Sequence, residues 1–146
     1  MEKNQENTFF VGALWAASVV WRCHTDRIIV GDLLKEIPDI DDVAKISKEY
    51  DIQPLRRNVM QTLPLAQDAT YESISYGPLD RMGRLICDHT DVTGKDEGDF
   101  DSFCVYAVEG NKDCQVLVDD LYSKEEAEDR ARIFSEQLTQ ILAAKQ

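Results

Sequence analysis

The chain has 146 residues and a mass of 16.6 kDa, room for one compact domain or two closely packed small ones. Apolar residues make up 43%, enough for a true core, and 28 acidic against 16 basic residues give a net charge of -12. That charge opposes broad attraction to nucleic acid or anionic lipid, and no apolar run reaches the roughly 18 residues of a membrane span.

In chain order, the first feature is an uncharged apolar run, residues 9–21. The residues before it (Glu2, Lys3, Glu6) are slightly negative rather than the positive leader of a signal peptide, so the run is expected to be mature protein in the cytoplasm. Its pattern predicts a helix capped by Asn7 or Thr8 and ending near Cys23. Apolar residues fall on every side (Phe9, Phe10, Leu14, Trp15, Val19, Val20, Trp21), eased by Gly12, Ala13, Ala16, Ala17 and Ser18. Such a helix is expected to be buried from both sides, with Trp15 as core, by its own domain or by a second copy in a homodimer.

Asp26 or Thr25 caps a second predicted helix through Ile28, Ile29, Leu33 and Leu34, which ends before Pro38. Asp39, Asp41 and Asp42 open a third, from about Ile40 to Tyr50, with Val43, Ile46 and Tyr50 on one face. A fourth starts near Pro54 with Leu55, Val59 and Leu63 at spacing four, and Pro64 closes it.

From Tyr71 the period changes to two. Ile74 and Tyr76 alternate with serines, and Leu85 and Cys87 continue the pattern. Phe103, Val105 and Ala107 take one face, Cys104, Tyr106 and Val108 the other. Glu109, Gly110, Asn111 and Lys112 form a hairpin turn, with Val116 and Val118 in the returning strand. Ser123 and Glu126 match a capping box ahead of a last helix striped by Ala127, Ala131, Phe134, Leu138 and Leu142. The predicted fold class is α+β: a helical part over residues 1–66, then residues 67–146 as three to four antiparallel strands covered by a C-terminal helix, packed as one unit.

Four cysteines (Cys23, Cys87, Cys104, Cys114) are too few and too scattered for a disulfide scaffold, so reduced thiols are expected. Cys23 with His24 and Cys87 with His89 would make a zinc site only if the two segments met, and adjacent ligands strain the chelate; no metal and no cofactor are expected. Phosphate-binding, dinucleotide-binding, nucleophile-elbow and zinc-protease motifs are all missing, and His24 and His89 are the sole histidines. The prediction is therefore not an enzyme and no catalytic residues, with a small enzyme built around His24 or His89 as one alternative. Residues 46–63 resemble a helix-turn-helix core with Arg56 and Arg57 on the would-be recognition helix. That resemblance implies a DNA-binding regulator as the other alternative. Asp51 stands where such turns favour Gly, and Arg57 where an apolar contact is expected.

Acidity is uneven: residues 74–146 carry 16 acids and 8 bases, a net -8, against -4 for residues 1–73. The expected function is a non-enzymatic acidic interaction module whose carboxylates copy the charge of nucleic acid and occupy a basic surface of a nucleic-acid-binding protein. Its candidate contacts are Asp96, Glu97, Asp99, Asp101, Asp119, Asp120, Glu125, Glu126 and Asp129. In size and charge alone the chain resembles the small inhibitors that phages and mobile elements direct at CRISPR or restriction machinery. That resemblance implies a DNA mimic with no nucleic acid or membrane bound directly.

Overall fold

A 22-residue helix, α1 (Lys3–His24), opens the fold in a computed structural model that describes residues 3–79, 102–111 and 113–146. It is followed by α2 (Arg27–Lys35), α3 (Ile40–Ile46), α4 (Glu49–Asn58), β1 (Ser73–Pro78), β2 (Phe103–Val108), β3 (Cys114–Leu121) and α5 (Lys124–Ala144). The architecture is α+β, helices first, then an antiparallel sheet packed on the C-terminal helix. The chain divides into two compact units, Met1–Ala69 with Ala143–Gln146, and Thr70–Leu142.

In the first unit α1 extends further upstream than the Asn7 or Thr8 cap would allow, because Lys3 to Glu6 contain no helix breaker. It stops where Thr25 turns left-handed (φ 49°) and donates its amide to Trp21 O at 2.8 Å. Asp26 then caps α2, its Oδ1 accepting from Ile28 N (3.1 Å) and Ile29 N (3.0 Å). The core gathers Leu14 and Ala17 of α1, Val30 and Leu34 of α2, Val43 and Ala44 of α3, and Ile52 and Leu55 of α4. Phe10, Val20 and Trp21 pack against it in part.

The helix is not buried from both sides, as its composition suggests. Phe9 is 66% and Trp15 56% exposed, and Gly12, Ala16 and Cys23 are exposed on the same side. Apolar composition all round hides the direction of burial, which is complete at Leu14, Ala17 and Ser18 and partial at Phe10, Val20 and Trp21. Gly12 is a costly choice, about 1 kcal/mol against Ala in a helix interior. Beyond the helix's own backbone and the two adjoining residues, a Cβ placed there would meet nothing within 4 Å among the described residues, so their packing does not call for glycine.

The third and fourth helices break at other points than the sequence predicts. Ser47 Oγ donates back to Val43 O (2.8 Å), and α3 ends at Ile46. Ile46 and Tyr50 consequently lie outside, Tyr50 at 71% exposure, rather than sharing a core face with Val43. Helix α4 starts at Glu49 because Asp68 reaches back, its Oδ1 accepting from Glu49 N at 2.8 Å. Pro54 therefore stands inside the helix, not at its start, and the helix ends at Asn58, well before Pro64.

In the second unit β2 is central, pairing antiparallel with β1 and β3. Ile74 stands opposite Ala107 and Tyr76 opposite Val105, on the face where Tyr76 OH donates to Glu128 of α5 (2.7 Å). The opposite face is apolar too: Cys104, Tyr106 and Leu79 are buried there, with Val108, Cys114 and Val116 against them. Cys114 pairs with Val108, so Cys104 and Cys114 share this face without standing opposite each other. Strand β3 carries extra residues in two places: Val105 opposes Val118, its neighbour Tyr106 opposes Val116, and Phe103 opposes Leu121. The bulge between them sends Val116 and Val118 to opposite faces, against the simple alternation of the sequence. The strand predicted around Leu85 and Cys87, and Lys112 of the hairpin turn, lie outside the described residues.

Candidate functional site

Residues 119–129 hold six carboxylates and one lysine. They run from the end of β3 through a short turn into the first turns of α5. Asp119 is half-buried, while Asp120, Glu125, Glu126 and Asp129 are exposed. Asp120 adopts φ 57° beside the second bulge, a backbone state that Asp tolerates better than most residues. Asp120 is exposed there while Leu121 returns to the core.

Ser123 caps α5, its Oγ accepting from Glu126 N at 3.1 Å. The capping box is only half made, since no return bond from the Glu126 carboxylate accompanies it. Two acids in this first turn, Glu125 and Glu126, lie where the helix dipole favours negative charge.

Glu125, Asp129, Arg132 and Glu136 form one outward strip of α5, opposite the buried Ala127, Ala131, Phe134 and Leu138. Within it Arg132 donates to Asp129 (2.5 Å) and Glu136 (3.2 Å). Those two carboxylates hold the guanidinium above its already high pKa, Asp129 contributing most. The charge of Asp129 is thereby compensated in part, one guanidinium being shared by two carboxylates, and negative charge without a partner cation among the described residues lies nearer the end of β3. Asp120, Glu125 and Glu126 have no ion-pair partner among the described residues.

Asp96, Glu97, Asp99 and Asp101 lie outside the described residues, as do Cys87 and His89. Two features of the region escape the sequence reading. Tyr122 is 78% exposed in the middle of the acidic run, and Glu128 is taken up by Tyr76 and by Lys124 at 3.6 Å. The bulges of β3 break strand alternation before Tyr122 is reached, so the period of the sequence carries no signal of its exposure.

Arg56, half of the helix-turn-helix alternative, is wholly inside the first unit. Its Nη1 and Nη2 donate to Glu49 Oε2 (2.8 Å) and Oε1 (2.7 Å), its Nε to Leu63 O and its Nη2 to Pro64 O (both 2.8 Å). A guanidinium so enclosed reads no base, and Asp51 lies in the first turn of α4 rather than in the turn between helices. Among the described residues no group of three His, Cys, Asp or Glu side chains is placed to hold a metal ion, and no helix is long and apolar enough to cross a membrane. No family model, curated protein or solved structure matches the chain.

Proposed function

We propose that the protein is an acidic interaction module whose β3–α5 corner docks on a basic, nucleic-acid-binding surface of another protein and keeps nucleic acid from it. The observation that carries this reading is the grouping of Asp120, Glu125 and Glu126, exposed, mutually close in sequence and without ion-pair partners among the described residues, on a rigid strand end and helix start. Carboxylates fixed on regular elements present charge at set spacings, as phosphates do along a duplex, and attract Lys and Arg over a Debye length of about 8 Å at physiological salt. Tyr122 supplies an aromatic anchor within the charged field, the residue type that most often concentrates binding energy at interface centres. The inhibitors of CRISPR and restriction machinery are the class of protein this mode of action fits.

Affinity capture from the native host tests it. The retained protein is expected to be a nucleic-acid-binding one, released by salt and displaced by duplex DNA or RNA. Capture indifferent to salt and to competing nucleic acid overturns the reading.

A further inference from the structure

The outer face of α1 is a second surface, in the other unit and independent of the acidic corner. Phe9, Gly12, Trp15, Ala16, Val19 and Cys23 fall within one side of this helix, and no charged residue occurs over residues 9–21. We infer that this face pairs antiparallel with the same face of a second copy of the chain.

Three observations single out a second copy. The first is shape. Phe9 and Trp15 stand out on either side of Gly12, and the space above Gly12 is open: beyond the helix's own backbone and the adjoining residues, no atom of the described residues lies within 4 Å of a Cβ there. In an antiparallel pair centred between Gly12 and Trp15, each Trp15 lies over the Gly12 of the other helix, a knob filling a hole twice over by symmetry. A parallel pair would instead set Trp15 against Trp15 and leave both glycines facing each other. Phe9 is already fixed, meeting Phe10 edge-to-face at 5.2 Å, and Phe10 packs against the core.

The second is charge. Two copies that each carry -12 repel nearly everywhere, and this uncharged strip is a place where they can meet without opposing carboxylates. Antiparallel alignment opposes the two helix dipoles favourably and brings the turn holding Glu6 level with the partner helix's last turn, where His24 stands beside Arg22, itself paired with Asp51 at 3.7 Å and lying over Tyr50.

The third is area. With Phe9 66% and Trp15 56% exposed, the two side chains leave on the order of 100–150 Å² each outside. With the rest of the strip this comes to roughly 500 Å² per copy, or about 1,000 Å² for the pair, the floor for a specific interface. The dimer is accordingly weak and concentration-dependent, in the micromolar class.

Light scattering and sedimentation between about 1 and 300 µM test the pairing. The wild type is expected to pass from one-chain to two-chain mass over this range. Gly12→Leu, which fills the open space with a good helix former, and Trp15→Glu should each weaken association at least tenfold while circular dichroism stays unchanged. Cys23 of the two copies lies roughly 30 Å apart along an antiparallel seam, so mild oxidation should give no cross-link that Cys23→Ser abolishes. A wild type of one-chain mass throughout overturns the inference and leaves the face to a different partner. So does a dimer that survives both substitutions, or a cross-link through Cys23.

Discussion

Arg56 and Glu49 form a two-pronged ion pair in the interior of the first unit, and the same two side chains satisfy three backbone groups of the following loop. Arg56 donates to Leu63 O and Pro64 O, and Glu49 Oε1 accepts from Ala66 N at 3.1 Å. Leu63, Leu65 and Ala66 can therefore be buried although they belong to no helix or strand.

Removing one partner strands the other charge inside. Arg56→Met and Glu49→Leu should each cost about 3–5 kcal/mol in urea unfolding. The double variant should cost much less than their sum, yet not return to wild type, because the three backbone groups stay unsatisfied. Additive losses would mean that the two side chains do not act together.

Trp15 and its neighbour Leu14 should behave oppositely. At dilutions where chains are apart, Trp15→Ala should change stability by no more than about 1 kcal/mol, since over half the side chain is already in water. Leu14→Ala, fully buried, should cost about 2–5 kcal/mol. Thermal melts of the two variants side by side check the contrast.

Ser18 is buried in α1 with an Oγ that has no hydrogen-bond partner among the described residues. Ser18→Ala removes a polar group that lost its water on folding and adds helix propensity. It should stabilise the protein by about 1 kcal/mol, read from the denaturation midpoint.

The acidic corner can be discharged without disturbing the fold. Asp120→Asn keeps a residue that tolerates a positive φ, and Glu126→Gln leaves the backbone amide that Ser123 caps. Combined with Glu125→Gln, these should leave the melting temperature within about 2 °C and weaken salt-sensitive capture of the basic partner at least tenfold. Asp120→Val, by contrast, should destabilise, because a β-branched side chain is strained at φ 57°.

The class and order of elements could be read along the chain because the period changes to two near Tyr71 and back to a helical one after Ser123, and because Asp26, Ser123 and the Gly110–Asn111 turn each mark a boundary with local chemistry. Boundaries went astray where distant residues decide them. Glu49 starts α4 through Asp68, 19 positions away, and no local pattern announces that. Burial of α1 is not legible for a related reason: a helix with apolar residues all round gives little sign of which side faces in. At the candidate site, the exposure of Asp120, Glu125 and Glu126 agrees with their sequence positions, while compensation of Asp129 by Arg132 depends on which helical neighbours meet in space.

The two bulges of β3 carry a consequence for solubility. Among the described residues β3 borders the sheet, and a border strand is where another chain can add hydrogen bonds and start a fibre. Its spacing is interrupted twice, and Asp119 and Asp120 bring charge to its last turn of pleat. A straight incoming strand finds no unbroken ladder to join at this border, which guards the β3 side of a sheet that is apolar on both faces against edge-to-edge polymerisation.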